Sequence, residues 1–290
     1  MAGGPTGSTS AAGESWPAPA KLNLFLQVIG RRVDGYHELQ TVFQFLDYGD
    51  DLHFTVSEAG PVRRLQALAG VPEDVDLTVR AARLLKQTSG CPMGVTIELR
   101  KRLPAGGGLG GGSSDAATTL VALNRLWRLG LSEDHLARLG LSLGADVPVF
   151  VRGAAAWAEG VGERLTPIAL PEPWFVVIAP AVTVSTADVF SDPELTRDSA
   201  PITISDFFAD GGRNDCEAVV RRRHPEVAQA LDRLSQWAPA RLTGTGGCVF
   251  AAFAGRADAE AVLRRLPAHW SAFVAQGRNR SPLKDRLASE

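Results

Sequence analysis

Residues 103–119, LPAGGGLGGGSSDAATT, place six glycines in the seven positions 106–112 and then run into two serines and an alanine-rich apolar stretch. So few side chains let several backbone N–H groups converge on one anion, and a helix opening at Ser113 or Ser114 adds the positive end of its dipole. The chemistry implied is phosphate binding. Gly106, Gly108 and Gly111 also satisfy G-x-G-x-x-G, but a dinucleotide turn follows its strand directly and is answered by an acidic residue about 20 positions on. Here Arg100 to Pro104 separate the predicted strand 95–99 from the glycines, and Glu133 and Asp134 follow Ser132 as a helix start. Ser-Ser-Asp stands where a Walker loop needs its lysine, and no H-R-D or D-F-G element marks a protein kinase. A flexible linker is the remaining alternative. The serine cap and the helical spacing of Ala116, Ala117, Leu120, Leu123 and Trp127 argue against it.

Several elements must hold such a loop. Residues 20–29 alternate, with Leu22, Leu24, Leu26 and Val28 against Lys21, Asn23 and Gln27, which predicts a half-buried strand. Residues 31–36 read as a turn around Asp34-Gly35 and 39–46 as a second strand, together a hairpin with a long connection. Strands are also expected at 52–56 and 95–99, and helices at 77–86, 114–128 and 133–141. Beyond Asp146, strands are expected at 150–159, 174–179 and 248–253, the last behind a second glycine cluster at 244–247, with helices at 217–237 and 257–266. Strands lead and helices cluster later, an α+β arrangement rather than alternating βαβ units. A domain boundary is expected near 160–170.

The 290 residues, 45% hydrophobic and 21% charged, suffice for one large domain or two smaller ones. A net charge of −2 gives no field for nucleic acid or an anionic membrane. The basic run Arg221-Arg222-Arg223-His224 reads as the solvated face of a helix. Three cysteines without C-x-x-C spacing point to free thiols in a reducing, cytoplasmic compartment. Five scattered histidines offer no metal-binding spacing. Residues 1–15 lack the basic start and apolar stretch of a secretory signal and are expected to be a disordered tail. No apolar run reaches the ~18 residues of a membrane span.

Three separated elements point to one substrate class: PAPAKLN at 17–23, the glycine loop, and LTGTGGCVF at 242–250. The set resembles the GHMP small-molecule kinases. AKLNLFL, RRVDGYHELQTVFQFLDYGD at 31–50, LGADVPVFVRG at 143–153 and the region through Phe190 narrow the resemblance. They are similar to the branch that uses ATP to phosphorylate 4-diphosphocytidyl-2-C-methyl-D-erythritol in the non-mevalonate route to isoprenoids. The resemblance covers residues 16–283.

It implies a two-domain α+β GHMP kinase fold, with the active site in the cleft between residues 16–163, which bind ATP, and 164–285, which bind the acceptor. Pro104, Gly106, Gly107, Gly108, Leu109, Gly110, Gly111, Gly112, Ser113 and Ser114 would then cradle the nucleotide phosphates, with Asp76 and Leu77 at the adenine. From alternation alone, Lys21 reads equally as a surface lysine on the polar face; the resemblance makes it the catalytic cation beside the acceptor hydroxyl. Asp146 lies in Gly144-Ala145-Asp146-Val147-Pro148, where Pro148 is expected to hold Val147 extended. A carboxylate in so apolar a setting needs a partner, for which Lys21 is a candidate. A turn-capping aspartate is the simpler reading of the residues, and the resemblance makes Asp146 the general base. Because a carboxylate is a weak base for an alcohol, proton transfer is expected late, with Lys21 easing the developing alkoxide.

Asn23 shares the strand face of Lys21. Lone aromatics default to core packing, but the resemblance gives Tyr36, His37, Thr186 and Phe190 to the cytidine. Gly244, Thr245 and Gly246 would close the cleft near the acceptor phosphates or form a tight structural turn. No protein-bound metal set is expected. Mg²⁺ would arrive with ATP and meet Ser113, Ser114 or Asp115, unless Asp115 caps its helix. The implied enzyme is a monomer or homodimer acting on a small molecule. Two other readings stay open: a GHMP kinase for another acceptor, such as homoserine or mevalonate, and a non-catalytic nucleotide sensor. The DGYH segment with Phe190 speaks against the first, and Lys21 with Asp146 against the second.

Overall fold

The computed structural model describes residues 14–68 and 70–289. The disordered-tail expectation therefore falls, apart from Glu14 and Ser15, outside the described residues.

The chain opens with a long antiparallel pair, β1 (Trp16–Arg31) and β2 (His37–Ser57), joined by a turn in which Gly35 adopts φ 89. The register slips between Pro19 and Lys21 and again between Asn23 and Leu26. Such bulges re-aim side chains, and these two flank the Lys21-Leu22-Asn23 segment. Contrary to the half-buried expectation, β1 is covered on both faces: Leu22 is fully buried and Lys21 and Asn23 are each only 3% exposed. The polar face does not meet water because the glycine loop lies on it, with Lys21 N donating to Leu109 O at 3.0 Å.

Next come β3 (Val62–Arg64), α1 (Leu77–Ser89), β4 (Gly94–Arg100), α2 (Gly111–Leu126), α3 (Glu133–Leu141), α4 (Val147–Arg152), β5 (Ala156–Gly160) and β6 (Arg164–Pro167). They are followed by β7 (Trp174–Ala179), α5 (Thr186–Ser191), α6 (Ile204–Asp210), α7 (Glu217–Arg223) and α8 (Pro225–Leu234). The chain ends with β8 (Ala240–Leu242), β9 (Val249–Phe253), α9 (Arg256–Leu263), β10 (Ser271–Arg278) and α10 (Pro282–Ala288).

Strands run in the order β3-β4-β2-β10-β7-β9-β8, with β1 and β5 also on β2 and β6 on β5. β10 is the joint: residues 271–276 pair with β7, and Gly277 and Arg278 pair with Leu46 and Phe45 of β2. One core packs α1, α2 and α4 on β1, β2 and β4, through Phe45, Leu85, Ile97, Leu120 and Phe150, and takes Leu283 from α10. A second packs α7, α8 and α9 on β7, β8 and β9, through Val176, Ile178, Val220, Leu231 and Val249.

Five local readings are corrected. Residues 150–152 are helical, not strand, and the strand starts at Ala156. A short apolar run such as Val147–Val151 is buried whichever way it folds, so periodicity cannot assign it. Here Pro148 sits in the first helical turn, where its missing N–H has no partner to lose, and Gly153 at φ 62 ends the helix. Val147 thus opens a helix rather than lying extended. The single helix expected at 217–237 is two, because Pro225 starts α8 after His224 leaves the helical region at φ −131. The basic run is paired rather than merely solvated, with Arg222 and Arg223 both reaching Asp192 at the end of α5 and Arg221 reaching Asp232. Finally, α2 starts at Gly111, capped by Gly110, rather than at Ser113 or Ser114.

Candidate active site

A cleft of about 850 Å³ runs between the glycine loop, the β1–β2 pair and α5. The loop's shape comes from close backbone approach. A Cβ on Gly108, at φ 77, would stand 2.1 Å from Thr243 O, so only glycine fits. The second glycine cluster is what lies there: Gly247 N donates to Gly106 O at 3.2 Å and Cys248 N to Gly107 O at 3.0 Å. Gly244 is anchored in turn by Asn214 Nδ2, which donates to its carbonyl at 2.8 Å. Gly110 turns at φ 72, where a Cβ would press on Phe150 and come within 3.1 Å of Lys21 Cε. The loop therefore delivers the first turn of α2 to the cleft. The N–H groups of Gly111, Gly112 and Ser113 have no partner within the helix, and its positive dipole end points out with them. This is the anion nest.

At its mouth, Lys21 Nζ stands 3.3 Å from Asp146 Oδ2. The ammonium also donates to Asn23 Oδ1 at 2.5 Å and to Gly108 O at 3.0 Å, and lies 5.4 Å from the Phe43 ring centroid. Asn23 is oriented by Nδ2 donating to Thr41 Oγ1 at 2.8 Å, and Thr41 Oγ1 donates to Phe25 O at 2.5 Å. Lys21 is thus immobilised in a dry setting, while the Asp146 side chain keeps 33% of its surface exposed to the cleft. A fixed cation next to an accessible carboxylate can take a proton from an alcohol and stabilise the oxygen left behind.

On the other side of the nest, Leu68, Val71, Val75 and Leu77 form an apolar wall that suits a planar base. Asp76 is committed to structure: Thr78 N donates to it at 2.8 Å, capping α1, and Arg64 Nη1 donates at 2.6 Å. Asp115 does not cap α2. It is buried in the first turns of that helix, where Lys101 Nζ donates to its Oδ2 at 2.9 Å and to Asp50 Oδ2 at 2.5 Å. Burial pushes the Asp115 carboxyl up to about 7, against the pull of Lys101 and with the help of the nearby Asp50 charge. Burial pulls Lys101 down, but Asp115 and Asp50 outweigh it and hold the ammonium above its ordinary range.

At the far end, Thr186 and Phe190 of α5 line the cleft, and the Thr186 and Thr245 hydroxyls share a hydrogen bond at 2.8 Å. His37 stacks on Phe190 with ring centroids 4.9 Å apart and planes 19° from parallel. Neither Tyr36, 63% exposed at the hairpin tip, nor the largely buried His37 lines the cleft. Ser114 is fully buried, and Gly246 packs on the backbone of Gly107 and Gly108 instead of facing the cleft. The other candidates, Lys21, Asn23, Leu77, Pro104, Gly106 to Ser113, Asp146, Gly244 and Thr245, meet around one space. Thr41, Lys101 and Arg197 went unread. Lys101 had a signal, a basic residue flush against the glycine loop, whereas Thr41 and Arg197 reach Asn23 and His37, 18 and 160 residues away. A smaller cavity of about 420 Å³ between α2, α3 and α10 holds none of these groups.

Among the described residues, no three His, Cys, Asp or Glu side chains cluster to hold a metal ion. A cation bound through nucleotide phosphates would still find oxygen donors in Ser113 and Asp146, both lining the cleft.

Comparison with known proteins places the chain in a family. The sequence model of the GHMP kinases N terminal domain matches residues 76–154, and that of the GHMP kinases C terminal matches residues 201–272. The 4-diphosphocytidyl-2-C-methyl-D-erythritol kinase of Pseudomonas paraeruginosa is 61% identical over 94% of this chain and 97% of its own. That of Alkalilimnicola ehrlichii is 63% identical over 95% and 94%. A crystal structure of 4-(cytidine 5'-diphospho)-2C-methyl-D-erythritol kinase superposes with a TM-score of 0.79 at 36% identity, covering 91% of this chain and 99% of that one. Methanococcus jannaschii mevalonate kinase shares the fold, with a TM-score of 0.65 at 15% identity over 94% and 100% of the two chains.

Proposed function

From the premise that this chain belongs to the 4-diphosphocytidyl-2-C-methyl-D-erythritol kinases of the GHMP family, we propose that it transfers the γ-phosphoryl group of ATP to the 2-hydroxyl of that alcohol, releasing ADP. The observation that carries the reading is the Lys21–Asp146 pair, 3.3 Å apart at the mouth of the glycine nest.

Phosphoryl transfer asks the protein chiefly to position reactants and to meet charge. The first-turn N–H groups of α2 hold the phosphates, and the wall of Leu68, Val71, Val75 and Leu77 takes the adenine. The acceptor hydroxyl lies between Asp146 and the nest. As its oxygen bonds to the γ-phosphorus and the bond to the β-phosphate oxygen breaks, its proton passes to Asp146. Lys21, unable to swing because Asn23 and Gly108 O grip its ammonium, meets the charge on the oxygen. Mg²⁺, carried in with ATP and met by Ser113 and Asp146, would offset charge on the phosphate oxygens. The cytosine packs against the His37–Phe190 stack, with Tyr36 free at the hairpin tip to fold over it. Thr186, Thr245 and Gly244 face the diphosphate.

In this reading, residues 16–163 carry the nucleotide and 164–285 most of the acceptor. All the residues come from one chain, so a monomer or a homodimer serves equally. Three buried, unpaired cysteines fit a reducing cytoplasm, and no helix among the described residues is long and apolar enough to cross a membrane. The test is ADP release from Mg·ATP, with 4-diphosphocytidyl-2-C-methyl-D-erythritol, homoserine and mevalonate offered in parallel and products identified by mass. Phosphorylation of the cytidyl alcohol alone is expected. Turnover of another acceptor instead would refute the cytidine assignment, and ATP binding without product would refute the kinase.

A further inference from the structure

The apolar wall beside the phosphate nest stands on a segment that the core scarcely holds. Arg64 ends β3, which pairs with β4 at one edge of the sheet, and Leu65 N donates to Ile97 O at 2.7 Å before the chain leaves that edge. Apart from a bridge between Leu68 and Val71, the described residues of 65–75 form no helix or strand. Leu68 and Leu77 pack on the core, whereas Val71 and Val75 are 37% and 53% exposed. What fixes the segment is the Arg64 guanidinium. Nη2 donates to Val71 O at 3.0 Å and Nη1 to Asp76 Oδ2 at 2.6 Å. Both side chains of this ion pair are only 5% exposed, so water competes little with a charge-assisted bond. Asp76 Oδ1 meanwhile accepts from Thr78 N at 2.8 Å and from Thr78 Oγ1 at 2.7 Å. One carboxylate thus caps α1, and one guanidinium spans from that cap to the middle of the wall. Arg64 itself does not line the cleft.

We propose that Arg64 is a positioning residue for the nucleotide: it holds the 65–76 segment where the adenine arrives and so sets the affinity for ATP without touching it. The inference rests on the adenine reading above. A planar base gains from an apolar wall only when the wall is in place, and the apparent Kd rises by the reciprocal of the fraction of molecules in which it is. The fork matters as well as the charge. A guanidinium presents two nitrogens in one plane to two acceptors, whereas a lysine keeps the charge beside Asp76 without the fork. The phosphate nest is separate, since its donors are main-chain N–H groups at the start of α2. Arg64 therefore bears on ligands that carry the base and not on bare phosphate.

The experiment measures binding of ADP and of inorganic pyrophosphate, each with Mg²⁺, to the wild type, Arg64→Gln and Arg64→Lys, together with steady-state kinetics of the same proteins. Arg64→Gln should weaken ADP about tenfold, as for a wall in place about a tenth of the time, and Arg64→Lys should weaken it less. Pyrophosphate should bind all three alike. KM for ATP should rise in step with the ADP Kd, while kcat at saturating ATP and KM for the acceptor stay within about twofold of wild type. A variant that binds both ligands worse, or that loses kcat at an unchanged KM for ATP, makes Arg64 merely structural and overturns the proposal. Hydrogen exchange of the wild type needs no variant to fold. Without nucleotide, the amides of Val71, Val75 and Asp76, which donate to Leu68 O and Pro72 O, should be protected. Exchange there at the rate of a free chain until ADP is added would show that the nucleotide, not Arg64, orders the segment. A wild type that binds ADP no more tightly than pyrophosphate removes the adenine reading and this inference with it. ADP binding that depends on Arg64 in a protein that phosphorylates no acceptor leaves the inference standing and refutes the kinase.

Discussion

At one end of the cleft the working groups are held by backbone. Lys21 is fixed between Gly108 O and Asn23, and the glycine loop is clamped against 243–248 by main-chain contacts at 3.0–3.2 Å. At the other end His37 and Phe190 are held by one side chain, Arg197, on an irregular segment beside the hairpin tip. Backbone packed on backbone has little room to yield, which suits groups that must meet a transition state within tenths of an ångström. A stack pinned by a single guanidinium can open for a nucleobase and close on it. In the proposed reading, the molecule separates a rigid end for chemistry from an adjustable end for recognition.

That separation makes ordered predictions. Asp146→Asn should lower kcat by about 100- to 10,000-fold and Lys21→Ala by about 100- to 1,000-fold, both with KM for the cytidyl substrate little changed in steady-state assays. A mutant that lost only substrate affinity would erase the distinction between the ends. Gly108→Ala, with its Cβ driven towards Thr243 O 2.1 Å away, should destabilise by more than about 1 kcal/mol, read as a fall in Tm with loss of ATP binding. Phe190→Ala should do the opposite of the catalytic mutants, raising KM for the cytidyl substrate roughly tenfold at near-normal kcat.

The smallest effect concerns Asp115. Its folded pKa, pushed up to about 7 from 3.8, means the folded state binds more protons than the unfolded one between those values. The stability this gives is complete below pH 3.8 and is lost as pH rises to about 7. Asp115→Asn should flatten that segment of the Tm–pH curve. An unchanged slope would show that the carboxyl is not the group responsible.

The rigid end was the more legible in sequence. An anion nest built from main chain demands glycine, and six in seven positions leave few other readings. Periodicity and caps marked β1, β4, α1, α2 and α3, but the single long β2 was read as two strands, 39–46 and 52–56, and β3 was not read at all. Lys21 was ambiguous because alternation assigns it to water, whereas the loop from residues 106–112 covers that face. Asp146 could not be placed at a helix start, since a five-residue apolar run with a proline fits either strand or helix. The adjustable end was almost silent. Arg197 reaches His37 from 160 residues away, as Thr41 and Asn214 at the rigid end reach Asn23 and Gly244, and no local pattern marks such a contact before the chain is folded.

Steady-state kinetics of Asp146→Asn with Mg·ATP and 4-diphosphocytidyl-2-C-methyl-D-erythritol test the central assignment most directly. The account predicts a kcat at least about 100-fold below wild type, with both KM values and the melting temperature close to normal. A kcat within a few-fold of wild type would show that Asp146 does not take the proton, and that the Lys21–Asp146 pair is a structural contact rather than the catalytic one.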